Sequence, residues 1–454
     1  MKEKKTLVLT EGNIFKGILF FVLPIIAGSL IQQLYTTADA VIVGQFVGKN
    51  GLAAIDSVHT LFKFPINFMN GLAAGATILI SGYFGAKNIK SLDCSVRTAL
   101  LVAIILGILA TIAGVVFSPQ LLDIMSVPKD IYPMTLSYCR FYFAGIWGMI
   151  LYNMASGILR AFGDSKRPLY VLVVCSIINI SGDFLLVGVF NMGVSGAAIA
   201  TMVAQIVSAF LTLIFVQNTF KDRGEGKKTI WGWHFCQVHM KKMLVTGFPL
   251  ALQSMLFPIA NSIVQASVNT MGTDSIAAWG ICDKLDMLIW LVADAMAPAM
   301  TTYTAQNIGA GRKDRVVKGA VIGAAMSAVC VLLISVVLFF GTGYMGYWFV
   351  SAKDAVTIVP MAAYYMKMLG PFFVFYSFGE SFSGACCGMG DTVKPMIATL
   401  LCTCLLRVVC IWFVLPMYNS MECIAVIYIA SWIVTGLAFI GMFLSKKKKL
   451  LAEC

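Results

Sequence analysis

Seven carboxylates, Asp39, Asp56, Asp183, Asp283, Asp286, Asp294 and Glu380, fall inside long apolar runs of this 454-residue chain. An ionisable group in such a run is expensive to bury and usually serves function. Asp39 lies near the end of the first run and Asp183 near the end of the fifth. Asn179 is four residues before Asp183, so the two share a helix face. Thr201 lies in the run that follows. At 1.5 Å per residue, Asp39 is about 6 Å, Asp183 about 8 Å and Thr201 about 12 Å below one surface. Two carboxylates, an amide and a hydroxyl make hard oxygen ligands for a small cation, or a proton relay. Two carboxylates side by side cannot both stay ionised without a counter-charge, so a proton and Na⁺ can occupy such a place alternately. The alternative is a pair of unrelated caps near helix ends, because similar depth alone does not bring groups together.

These donors require helices that cross a bilayer. The chain is 59% apolar and 12% charged, with a mean hydropathy of +0.87. Soluble domains run about 25% charged, so soluble domains and low-complexity disorder are both excluded. The apolar runs are continuous rather than alternating, which excludes a bacterial β-barrel. The expected fold is an all-α polytopic membrane protein of twelve spans. Their limits are 15–42, 52–82, 96–118, 133–160, 168–188, 193–217, 243–270, 276–306, 318–340, 357–386, 395–416 and 421–445.

The formal charge of +12 points to orientation rather than to nucleic acid. Of 33 basic residues, Lys49, Lys129 and Lys353 fall in outer loops, and Lys63, Arg140, Lys284, Lys367 and Arg407 within spans. All the others, from Lys2, Lys4 and Lys5 through Lys227 and Lys228 to Lys446–Lys449, fall on one side when both termini are cytoplasmic. That bias predicts a multi-pass protein of the plasma (inner) membrane. The stretch after the basic Met1–Lys5 is too long for a signal peptide and reads as the first span.

The chain also repeats itself. Gly157–Pro168 aligns without gaps on Gly384–Pro395, an offset of 227 residues, and Tyr138 and Arg140 match Tyr365 and Lys367. Two halves of six spans each enter the membrane from the same side, which makes a parallel repeat about an axis along the membrane normal. The expected organisation is an N-lobe over 1–217, a cytoplasmic linker over 218–242, a C-lobe over 243–445 and a basic tail over 446–454. Within the repeat, Gly163-Asp164-Ser165 before Pro168 and Gly390-Asp391-Thr392 before Pro395 read as tight turns. Glycine ends one helix, Asp caps, and proline opens the next. The adjoining basic residue is expected to face anionic headgroups, with a part in gating as the alternative role. Pro24, Pro258, Pro298 and Pro371 are expected to interrupt their spans and permit bending.

The second half lacks the oxygen set, having Val264 opposite Asp39 and Cys410 opposite Asp183. Its acids read either as a cavity wall that attracts cationic drugs or, the favoured reading, as internal ion pairs, for example Glu380 with Arg407 or Asp283 with Lys284. Asp294, without a basic partner at its depth, is the leading substrate contact, with Glu380 and Lys63 as further members. The 25 Met and 31 Phe suit an adaptable cavity, and suit core and lipid-facing surfaces equally. The 13 cysteines read as buried small hydrophobes, with no CxxC or Cys/His pair at metal spacing. No phosphate-binding GxxxxGK[ST] and no hydrolase motif occurs, so no catalytic residue is expected and energy must come from an ion gradient.

The doubled turns, Gln306–Gly311 after span 8, and Asp39-x-x-x-x-Gly44 closing span 1 resemble the multidrug and toxic compound extrusion (MATE) family, in its DinF-like bacterial branch. The resemblance implies a V-shaped pair of six-helix lobes exporting cationic or amphipathic drugs in exchange for Na⁺ or H⁺. It implies a cation site at Asp39, Asn179, Asp183 and Thr201, no cofactor beyond the coupling ion, and a monomer in contact with lipid and drugs. Span 7 has no acidic residue, so the second-lobe site of other branches is not expected. A lipid-linked oligosaccharide flippase of the same superfamily is the nearest alternative, and an uncoupled receptor or channel a more distant one.

Overall fold

A computed structural model describes residues 9–223, 230 and 235–452, and among them every regular element is helical. Twelve long helices follow the predicted spans. They are α1 (Ile14–Phe46), α2 (Lys49–Gly85), α3 (Ile89–Val116), α4 (Tyr132–Ala161), α5 (Lys166–Val189) and α6 (Gly193–Arg223). Then come α7 (Gln237–Val268), α8 (Thr273–Gly309), α9 (Lys313–Trp348), α10 (Ala352–Gly388), α11 (Val393–Tyr418) and α12 (Met421–Ala452). Eleven contain segments long and apolar enough to cross a membrane. The other, α8, is 37 residues long, and Asp283, Lys284, Asp286 and Asp294 dilute its apolar character. The protein is a multi-pass membrane protein.

Several helices run past their apolar cores because polar residues cap them. Helix α3 begins at Ile89 rather than near 96, where Asn88 Oδ1 accepts the Ser91 N–H at 3.1 Å. Lys446–Lys449 form the last turns of α12 rather than a separate tail. Lys2, Lys4, Lys5, Lys227 and Lys228 lie outside the described residues.

Backbone contacts divide the chain into two units, Phe20–Ala251 and Leu252 onward, the second also holding Leu9–Leu19. The changes of unit thus fall inside α1 and inside α7.

In the first unit α4 is central and packs on α2, α3 and α6. Lipid is as apolar as a leucine side chain, so helices associate through close packing of small residues. Gly145 and Gly148 of α4 let the backbone of α6 approach at Met202 and Gln205. Gly71 and Gly75 of α2, four apart, do the same for Ala251 and Gly247 of α7. In the second unit α10 meets α8 in the same way. Gly384 and Gly388 lie on the backbone of Ala297 and Thr301, and Thr301 Oγ1 donates to the Gly384 carbonyl at 3.1 Å.

The two repeated turns form as expected. Gly163 and Gly390 have φ of +81° and +86°, a left-handed region that favours glycine. Asp164 Oδ1 accepts the N–H groups of Lys166 and Arg167, each at 3.1 Å, and Asp391 Oδ1 accepts that of Lys394 at 3.3 Å. Pro168 and Pro395 lie in the first turns of α5 and α11. Arg167 pairs with Asp164 at 3.3 Å, donates to Thr219 and lies over the Phe215 ring, so α6 holds it. Lys394 and Lys446 both turn to Asp391, at 3.7 and 3.1 Å.

The prolines also differ from expectation. Pro24 and Pro298 lie inside continuous helices, and Pro258 within α7. Only Pro371 coincides with a change of geometry, the 3₁₀ turn Gly370–Phe372 of α10. A long helix absorbs one missing hydrogen bond when its flanking turns are intact. Pro24 still removes the donor for the Phe20 carbonyl four residues back, and Phe20 is where α1 passes from one unit to the other.

Candidate cation and substrate sites

Asp39 on α1 and Asp183 on α5 are close enough to act on each other. Asp183 is fully buried and Asn179, one turn earlier, is 2% exposed. Asn179 Nδ2 donates to Thr201 Oγ1 of α6 at 3.3 Å. Helices 1, 5 and 6 therefore bring together the four side chains picked out by depth in the sequence.

Their hydrogen bonding is incomplete in an informative way. Asp39 Oδ1, both carboxylate oxygens of Asp183 and Asn179 Oδ1 are buried without a donor among the described residues. Buried polar atoms are normally satisfied. Two carboxylates this close repel unless a proton or a cation stands between them. Four orphaned oxygens on two helices, with the Thr201 hydroxyl of α6 beside them, are a donor set that suits a small hard cation.

The backbone changes at this place. Helix α5 is α-helical to Asp183 and continues as π turns over Phe184–Val189. Single π segments inside α-helices occur often at functional sites. This one rotates everything after Asp183 relative to the Asn179–Asp183 face.

Tyrosines line the approach. Tyr35, Tyr138 and Tyr142 all lie within electrostatic reach of Asp39, and Tyr138 also of Asp183. Phe62 stacks on Tyr142 at 3.9 Å and meets Tyr138 at 6.0 Å. A cavity of about 140 Å³ opens beside the pair, lined by Gln32 and Tyr35 of α1, Asn179 of α5, and Thr201 and Gln205 of α6 among others. Sequence reading missed Tyr35, Tyr142 and Gln205, and noted Tyr138 only as a repeat position. Uncharged polar residues are common in helices, and nothing in their spacing marks one that will face an acid.

In the second unit neither expected pair forms a salt bridge among the described residues, and Lys284 acts on Asp283 only at longer range. Arg407, 1% exposed, gives Nε to Ser431 Oγ at 2.8 Å and Nη1 to Asn261 Oδ1 at 2.9 Å. Its guanidinium lies 4.3 Å from the centre of the Tyr428 ring. Neutral oxygens and a π face thus accommodate the charge that Glu380 was expected to neutralise. Asp283 and Lys284 are neighbours in sequence and point about 100° apart on one helix.

Glu380 instead shares Tyr376 with Asp294. The Tyr376 hydroxyl donates to Asp294 Oδ1 at 3.4 Å, and Glu380 faces the same hydroxyl and the same acid. Asp294 is exposed and Glu380 half-buried. Trp290 meets Tyr376 at 4.6 Å and Trp432 at 6.1 Å, and Phe373 meets Trp432 at 4.8 Å. Two acids beside an aromatic wall attract organic cations through charge and through the rings' negative faces. Lys63 is exposed on α2, in the first unit, near His59.

The cysteines are not uniformly buried hydrophobes either. Cys94 and Cys236 are part-exposed and converge with His239, so Cys236-x-x-His239 is a Cys/His pair that the sequence reading passed over.

Comparison with known proteins adds to this geometry. The MatE family model matches residues 24–185 and 249–413. A probable multidrug resistance protein of Bacillus subtilis, YpnP, is 27% identical over 398 residues, covering 88% of each chain. A second from the same organism, YoeA, is 27% identical over 311 residues, covering 67% of each. A crystal structure of a MATE protein in a bent conformation superposes with a TM-score of 0.90 at 22% identity, covering 100% of this chain and 99% of the other.

Proposed function

Since this chain belongs to the MatE family of membrane transporters, we propose that it is a cation-coupled antiporter exporting cationic and amphipathic drugs. The observation that carries this reading is the Asp39–Asp183 pair, with its orphaned buried oxygens beside the Asn179–Thr201 hydrogen bond. The pair takes up a proton or a Na⁺ ion from outside. Na⁺ would be held by Asp39, Asp183, Asn179 and Thr201 as the transported ion. Either one removes the repulsion between the carboxylates and pulls α1 toward α5. Helix α1 yields near Pro24, where one backbone hydrogen bond is already missing. Ion uptake and the shape of the adjoining cavity are coupled in this way.

The drug binds through charge and apolar contact. Asp294 and Glu380, beside Trp290, Tyr376 and Trp432, suit an organic cation. The relatives' names point the same way, since YpnP and YoeA are both called probable multidrug resistance proteins. In this reading the protein acts as a monomer in the plasma membrane with both termini cytoplasmic. An oligosaccharide flippase would need cationic residues for an anionic headgroup, and two of the three Arg407 guanidinium nitrogens are already engaged with Ser431 and Asn261.

The test is ethidium transport in everted vesicles, with the Na⁺ gradient and the pH gradient varied separately. Wild-type vesicles should move ethidium only when one of the gradients is imposed. Asp39→Asn and Asp183→Asn should each reduce transport to the level of vesicles without the protein. Undiminished gradient-driven transport in both variants would refute the coupling scheme.

A further inference from the structure

We infer that Cys94, Cys236 and His239 form a binding site for Zn²⁺ at the start of α7, separate from the ion-coupling pair. Cys94 lies in the second turn of α3, Cys236 immediately before α7 and His239 in its first turn. One donor atom from each lies within 4.8 Å of the other two. His239 Nδ1 is 2.8 Å from Cys236 Sγ, and its Nε2 is buried with no hydrogen-bond partner. The cluster is held from three helices. The Cys236 N–H donates to Thr98 Oγ1 of α3 at 3.4 Å, and the Tyr83 ring at the end of α2 lies 5.4 Å from the His239 ring.

The chemistry of the donors selects the ion. Two thiolates and a neutral imidazole are the ligands Zn²⁺ prefers, and three protein ligands leave its fourth tetrahedral position to water. Two thiolate charges balance the divalent ion, so its uptake adds no net charge. A bound ion would fasten the first turn of α7 to α3, next to the glycine crossing of α2 and α7.

The competing outcome is a Cys94–Cys236 disulfide, and the experiment separates the two. Purified full-length protein, reduced and treated with chelator, is titrated with Co²⁺ as a spectroscopic substitute for Zn²⁺. The wild type should develop thiolate-to-cobalt charge-transfer and tetrahedral ligand-field bands that saturate at one ion per chain, and Zn²⁺ should displace them. Cys94→Ser, Cys236→Ser and His239→Ala should each weaken binding by more than about a hundredfold. Cys330→Ser, which removes an exposed cysteine on α9, should leave the titration unchanged. Cys236 precedes α7, so its serine variant should fold even if Cys94→Ser does not. The inference is overturned if wild-type protein shows no saturable bands. It is equally overturned if metal-free protein as isolated yields a Cys94–Cys236 linked peptide that resists alkylation.

Discussion

At the scale of single residues, the protein holds charge within the membrane by two different means. Arg407 is paired with neutral oxygens and a ring, whereas Asp39 and Asp183 are left facing each other. The first arrangement is structural, and in the proposed reading the second awaits an ion. Asp183→Asn should therefore preserve or raise stability, by up to about 1 kcal/mol, because an amide can donate to Asp39. The same change should abolish coupled transport. Thermal unfolding of the detergent-solubilised variant checks this, and a marked loss of stability would show that the pair is an ordinary structural contact. Arg407→Ala should cost about 3 kcal/mol through its lost charged hydrogen bonds and the space left behind. Arg407→Lys should recover part of that, since an ammonium cannot reproduce the fork on Ser431 and Asn261. An unfolding midpoint for Arg407→Ala equal to wild type would contradict the structural role.

Among the helices, the repeated turns show how a local sequence unit builds a corner. Asp391 caps α11 and also receives Lys394 and Lys446, the latter from α12. Partial burial raises its carboxyl pKa, but the Lys446 hydrogen bond, the Lys394 amide and both ammonium charges outweigh this and hold it below its ordinary value. A depressed carboxylate contributes stability above its unfolded pKa, and that contribution is lost as pH falls through the folded one. Asp391→Ala should destabilise by about 1 kcal/mol at neutral pH, and the gap to wild type should close in acid. A gap that persists in acid would assign the effect to packing. The π turns of α5 fall directly after Asp183, so the element that carries the acid also departs from regular geometry there.

For the whole molecule, the proposal separates two electrostatic tasks between the two units. The first holds the ion pair and the second the acid–aromatic wall. Asp294→Asn combined with Glu380→Gln should suppress efflux of ethidium and other organic cations while leaving neutral amphipathic substrates close to wild type. Equal loss for both substrate classes in the vesicle assay would mean that these acids serve the fold or the ion rather than drug selection.

What could be read directly from the chain was set by period, composition and local chemistry. Continuous apolar runs require membrane helices, the repeat at 227 residues requires two halves, and Gly-Asp followed by Pro builds the same corner twice. The four oxygen side chains were legible because a helix rises uniformly, so residue number converts to depth. Depth does not specify which way a side chain faces. Only packing decided that Asp39 meets Asp183, that Glu380 turns to Tyr376 and Asp294 rather than Arg407, and that Arg167 lies over Phe215 of α6. It likewise brought Cys94 to Cys236 and His239 across more than a hundred residues, a proximity that spacing along the chain does not encode.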